Sequence, residues 1–199
     1  AQSAGIIDVS MEDMDILCFT GHKGLHGLQG IGGFCMKDRA LFPSFKHGGT
    51  GTHSMELEQP QNWPEIYEAG TLNVPGILSL KTGIEYVKSH PILNHSALRQ
   101  KLMNALSDIS GIHYLEDPSM EHIGILSLVI DGISGAWLSD QLAYRYQIQT
   151  RYGAHCAPMI HKKYGVEASL RLSFAHDVTE KQVEYLAECI HQLVKEKRT

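Results

Sequence analysis

Apolar positions recur along the chain with two different periods. In "HSALRQKLMNALSDI", Leu98, Leu102 and Leu106 stand four apart, and in "TEKQVEYLAECIHQLVKE", Val183, Leu186, Ile190 and Leu193 share one face; each stretch predicts an amphipathic helix. Thr179 supplies the cap of the second. "GILSLKTGIEYVKSH" repeats the spacing at Ile77, Leu80, Ile84 and Val87, and Pro75 sits at its start, where a fixed φ suits the first turn. "SGAWLSDQLAYRY" predicts a further helix, whereas "ILSLVIDG", "IQTRYGAHC" and "SLRLSFAH" read as strands. Nearer the start, "DILCF" is a short apolar run that predicts a buried strand ending at Thr20 and Gly21. "GIGGFCMK" predicts a second strand, closed by Arg39 to Phe42.

Strands alternating with helices predict an α/β architecture. Residues 46–62 are rich in Gly, Thr and polar groups without periodicity, which predicts a long loop of the kind that usually carries function. The helix after Pro75 is expected to lead from a first domain, 1–75, into a second, 76–199. From about residue 88 onward the second is expected to fold on its own.

The 199 residues suffice for one ordinary domain or slightly more. A net charge of −5 gives no electrostatic case for nucleic acid or an anionic membrane. No apolar stretch reaches the roughly 18 residues that a membrane helix needs, and no basic-plus-apolar leader supports secretion. Cys18, Cys35, Cys156 and Cys189 form no CxxC pair, so a reducing cytoplasm is expected; Cys18, Cys35 and Cys189 stand at apolar positions and read as buried filler.

Chemistry concentrates around Lys23, with glycines at 21, 24, 27, 30, 32 and 33. The stretch is neither a P-loop nor a GxGxxG that opens a helix, and glycine density alone is compatible with a plain tight turn. The wording "TGHKGLHGLQGIGGF" resembles the lysine segment of class V aminotransferase-fold enzymes, the pyridoxal phosphate family that includes cysteine desulfurases. That family reads Ser/Thr-Gly-His-Lys, then Gly-Pro-x-Gly-Ile-Gly; Leu28 stands where proline is common. The resemblance implies a partial fold-type I transferase, comprising the end of the large cofactor domain and the C-terminal small α/β domain. It implies that Lys23 forms the Schiff base with pyridoxal 5′-phosphate. Thr20 and His22 become phosphate-side donors, although His22 by itself reads as a core histidine.

Two shorter stretches carry the same resemblance. "AQSAG" is similar to the family's Asp-x-Ala-Gln, so Gln2 matches the glutamine that bonds the ring's phenolic oxygen. The aspartate that pairs with the ring nitrogen is expected just before Ala1. "EAGTLN" is similar to Glu-x-Gly-Thr-x-Asn, which in the family's homodimers lies near the cofactor of the other subunit. It assigns Thr71 to the phosphate and Asn73 to the substrate side in a mainly structural role.

"TRYGAHCAPMIHKKYG" followed by "LRLSFAHDVTEKQVEYL" resembles the family's small domain. It implies that Arg171 clamps the carboxylate of the amino-acid substrate, with Arg151 beside the thiol loop. Cys156 becomes the nucleophile that takes sulfur from L-cysteine, leaving alanine and an enzyme persulfide, and His155 and Arg151 are expected to favour its thiolate. His155, Cys156 and His161 could be drawn as a metal site, but no four-ligand set at zinc spacing accompanies them. The short gap between Cys156 and Arg171 is similar to the desulfurase subgroup with a short, ordered cysteine connection. The resemblance covers the second half of a family member, expected to be inactive alone, with a sulfur-acceptor protein as a further partner. Two alternatives stay open: a class V aminotransferase or other pyridoxal phosphate lyase, and a silent fragment that binds or dimerises.

Overall fold

The computed structural model describes residues 2–38, 42–92 and 94–199; the expected strand closure at Arg39, Ala40 and Leu41 lies outside the described residues. The chain divides into two compact units, Ala1–Pro91 and Ile92–Thr199.

The first unit is built on a hairpin. Strands β1 (Ile16–Thr20) and β2 (Gly32–Met36) pair antiparallel, with Ile16 opposite Met36 and Thr20 opposite Gly32. The lysine segment is therefore the connection of the hairpin. Gly21 N–H bonds the Ile31 carbonyl at 2.9 Å, and Gly27 N–H bonds the Gly21 carbonyl at 2.7 Å. Helix α1 (Val74–Ser89) has Pro75 in its first turn, and Asn73 Oδ1 accepts from Gly76 N–H at 3.1 Å as its cap. This helix lies against the lysine segment: a Cβ on Gly83 would sit 2.0 Å from the Leu25 carbonyl oxygen, so only glycine permits the approach.

The rest of the unit folds around aromatic rings. Tyr67, in a single 3-10 turn (Glu65–Tyr67), packs on Phe34, Phe42, Phe45 and Trp63 with centroids 5.0–5.7 Å away. Its hydroxyl donates to the Phe42 carbonyl at 2.6 Å. Buried Gln59 ties the long loop down, its amide donating to the carbonyls of Glu65 (2.7 Å) and Glu68 (3.0 Å). The expectation of a buried first strand does not hold within this unit: Ile16 is 37% exposed. Cys18 and Cys35 are exposed too, because a two-stranded ribbon offers them no second layer among the described residues. Cys189, by contrast, is buried as expected.

In the second unit, four antiparallel strands lie in the order β3 (Ile112–Tyr114), β4 (Ile125–Ile130), β6 (Ser169–Ser173), β5 (Arg151–Gly153). The register sets Leu126 opposite Leu172 and Leu128 opposite Leu170, placing four leucines on one face. Helices α2 (His95–Ala105), α3 (Gly135–Tyr146) and α5 (Glu180–Arg198) bring Leu102, Leu138, Leu142, Ile190 and Leu193 into the same cluster, each at most 1% exposed. Burying one such side chain contributes about 1.5–3 kcal/mol. α5 starts in a full capping box, Thr179 with Gln182. Buried Arg99 is paired with Glu116, as a charge out of water must be.

Alternation then dictates the other face. The residues between the leucines are Ser127, opposite Arg171, which is itself opposite Arg151. Strand β5 is shorter than predicted: Ile148 N–H bonds back to Leu142 at the end of α3, and the chain turns away after Gly153. Helix α4 (Pro158–Tyr164) joins the turn to β6, so the connection from Cys156 to Arg171 is short and ordered. No helix among the described residues is long and apolar enough to cross a membrane.

Candidate active site

Lys23 and Gln2, 21 residues apart, meet: Lys23 Nζ donates to Gln2 Oε1 at 3.3 Å. The contact depends on two glycines. A Cβ on Gly24 would stand 2.5 Å from the Ala4 carbonyl oxygen, and Gly5, at φ +85°, would place one 2.4 Å from the Gly24 oxygen. The backbones touch there, and side chains on either would push residues 2–7 off the lysine segment. Lys23 is exposed, and its partner is a neutral amide. At the end of β1, Thr20 Oγ1 is buried without a hydrogen-bond partner among the described residues, a state that costs free energy unless a ligand satisfies it. His22 is exposed between them, so it is not a core histidine. Thr71 is also exposed, next to Gly70 at φ +82°, while Asn73 spends its side-chain oxygen on the α1 cap.

The second unit gathers Arg151, Cys156 and Arg171. Arg151 and Arg171 are directly opposite across β5 and β6, a like-charge pair that destabilises a sheet without an anion between. Arg171 Nε is buried and lacks a partner among the described residues. Burial holds the Arg171 pKa below the usual guanidinium value, the charge of Arg151 adds to that, and a negative charge on Cys156 opposes it. The thiol and the guanidinium are therefore electrostatic neighbours.

Cys156 is exposed on a tight turn. Ala157 N–H bonds the Ala154 carbonyl at 2.8 Å, and the two central residues, His155 and Cys156, have φ of +53° and +56°. Both lack the freedom of glycine, and such left-handed positions cost on the order of 1–3 kcal/mol each unless their surroundings enforce them. His155 is enforced by donating Nε2–H to the Ser169 carbonyl at 2.9 Å. Burial pushes its pKa below the usual histidine range, with Arg171, His161 and Arg151 adding to the shift, which disfavours the charged ring. Arg151 and Arg171, rather than His155, hold the positive charge beside this turn. Sequence reasoning weighed His161 only as a metal ligand and passed over Ser169; both lie under this turn. The usable signal was a histidine four residues past Ala157, one helical turn on. Among the described residues no cluster of His, Cys, Asp and Glu could hold a metal ion.

The chain is similar to known proteins over nearly its whole length. The sequence profile of the family "Aminotransferase class-V" matches residues 1–186. The cysteine desulfurase of Escherichia coli O157:H7 is 31% identical over 198 residues, 94% of this chain and 48% of its own. That of Escherichia coli O127:H6 is 32% identical over 199 residues, with the same two shares of 94% and 48%. Among solved structures, the apo cysteine desulfurase of Thermococcus onnurineus NA1 superposes with a TM-score of 0.84 at 27% identity, over 98% of this chain and 51% of that one. The Escherichia coli cysteine desulfurase CsdA, in an S-sulfonic acid form, gives 0.84 at 26% identity over 98% and 50%. The chain thus spans about half the length of the relatives it matches. With that profile matched over residues 1–186, the chain belongs to the class V aminotransferase family.

Proposed function

We propose that the protein carrying this chain is a pyridoxal 5′-phosphate-dependent cysteine desulfurase, converting L-cysteine to alanine and leaving a persulfide on Cys156. The observation that carries this reading is the exposed thiol on a strained turn beside two arginines that stand opposite each other across β5 and β6. A transaminase has no use for that thiol.

The lysine end suits the cofactor by its donor set. An amine beside a neutral amide oxygen suits an aldehyde and its adjacent ring oxygen; a buried, unpartnered hydroxyl beside an exposed imidazole suits a phosphate. In this reading Lys23 bonds the aldehyde carbon, Gln2 faces the ring oxygen, and Thr20 and His22 hold the phosphate. Thr71 serves the phosphate in a second copy of the chain, and Asn73 keeps the 70–73 stretch in place. When bound, pyridoxal phosphate supplies an electron-accepting ring that stabilises charge at the substrate α-carbon.

The chain's own side chains do the remainder. Arg171, with Arg151 beside it, binds the substrate carboxylate through its planar fork. Lys23 Nζ moves the proton at the α-carbon. The Cys156 thiolate attacks the substrate sulfur; the new S–S bond forms as the Cβ–S bond breaks, and the carbon keeps that electron pair and takes a proton to become the methyl of alanine. The persulfide then passes to an acceptor thiol, in keeping with a reducing cytoplasm.

The test uses the whole protein. Cys156→Ala should reduce alanine formation from cysteine to background, while borohydride still fixes pyridoxal phosphate at Lys23. Alanine formation at the wild-type rate in that variant would end the desulfurase reading; absence of cofactor at Lys23 in the wild type would end the cofactor assignment. Transfer of the amino group to a keto acid would replace the reading with an aminotransferase.

A further inference from the structure

Both neighbours of Cys156 are tied to a single residue of β6. On one side, His155 donates Nε2–H to the Ser169 carbonyl at 2.9 Å. On the other, the Ala157 carbonyl receives His161 Nδ1–H at 3.0 Å. A carbonyl can only accept, so Nδ1 carries the proton, and Nε2 shares a hydrogen bond with the Ser169 hydroxyl, with 3.0 Å between the atoms. Ser169 is 0% exposed and His161 5%, and the two imidazoles lie 5.8 Å apart. The Cys156 thiol is left open to solvent.

We infer that His161, acting through Ser169, is the positioning residue that holds the Cys156 turn in its left-handed form and so keeps the thiol beside the Arg151–Arg171 pair. The inference rests on the reading of Cys156 as the attacking thiol. Two successive non-glycine residues at positive φ relax to ordinary backbone unless several contacts over-determine them. His155 alone anchors only the first half of the turn. His161 anchors the second half, and it does so inside the unit, where water does not compete and hydrogen bonds reinforce one another. β6 is the right anchor because it also carries Arg171, two residues from Ser169, so thiol and guanidinium share one frame.

Charge-selective alkylation tests this without cofactor. Iodoacetate and iodoacetamide differ by one negative charge, so their relative rates at Cys156, resolved from Cys18 and Cys35 by peptide mass spectrometry, read the closeness of the arginines. His161→Ala should lower the iodoacetate-to-iodoacetamide ratio by roughly tenfold, the scale of losing one buried hydrogen bond. His161→Asn keeps a donor where Nδ1 was and should recover most of the ratio. Ser169→Ala, nearly isosteric, should give a partial loss. A ratio unchanged in His161→Ala, with alanine and asparagine equivalent, overturns the inference and leaves His161 as filling. The Cα and Cβ chemical shifts of residues 155 and 156 provide a second readout, since they mark left-handed backbone. They should move to ordinary values in His161→Ala, and their persistence overturns the inference independently. Arg171→Gln separates the two levels: it should lower the ratio and leave the shifts alone. If it leaves the ratio alone, the carboxylate-site reading fails, while the shifts still decide the role of His161.

Discussion

The two units are held together by different means. Among the described residues, the first unit buries only Tyr67 and Pro60 as apolar side chains, whereas the second buries a continuous cluster from Leu102 to Val194. The first relies on backbone contacts at Gly5, Gly24 and Gly83, on five aromatic rings, and on one buried glutamine. The second relies on leucines at helical and strand spacing. The same chain thus separates specificity from stability: the lysine unit is rich in contacts that allow one arrangement, the thiol unit in area removed from water.

The largest expected effect comes from separating the units. Ile92–Thr199 alone should unfold in one cooperative thermal transition, whereas Ala1–Pro91 alone should melt without one, as circular dichroism and amide exchange would record. A cooperative transition for the first and none for the second would reverse the comparison. Next in size, Leu193→Ala, at a fully buried position, should cost about 2–5 kcal/mol in denaturant unfolding. The same change at Leu78, 59% exposed on α1, should stay within about 0.5 kcal/mol. Equal costs at the two positions would show that the first unit hides a core of its own.

Smaller again, Thr179→Ala removes the capping box of α5 and should destabilise the second unit by about 1 kcal/mol. The subtlest effect is on pH dependence. Burial lowers the pKa of His95, with His176 adding to the shift, and burial lowers that of His155. Below the unfolded histidine value of about 6.5 the unfolded chain binds protons that the folded unit refuses. Stability is therefore full above that pH and falls as pH drops through it toward the depressed folded values. Chemical denaturation of Ile92–Thr199 between neutral and mildly acid pH would check the sign; a gain on acidification would contradict it.

Much of the second unit was legible because its signals are periodic. Leu98, Leu102 and Leu106 announce α2, the run "ILSLVI" announces β4, and Thr179 announces the start of α5. Strand β3 has three residues and α4 seven, too few for a period to register. The aromatic cluster of the first unit brings together Phe34, Phe45 and Tyr67 from far along the chain, which no local pattern reveals. Of the site, Lys23, Cys156 and Arg171 stood out through the wording of their segments. Gly5 and Gly24 count only once the two backbones touch, and His161 only once α4 turns its ring toward Ser169. The exposure of Cys18 and Cys35 went unforeseen because apolar spelling does not say whether a second layer arrives.

The facing guanidiniums of Arg151 and Arg171 have a practical consequence for thermal measurements. Any small carboxylate that bridges them relieves their mutual repulsion, so occupancy and folding become linked by mass action. A solute at a hundredfold excess over its dissociation constant would add about 2.7 kcal/mol to apparent stability. Melting temperatures recorded in acetate, citrate or glycine buffers would then report the buffer as well as the fold.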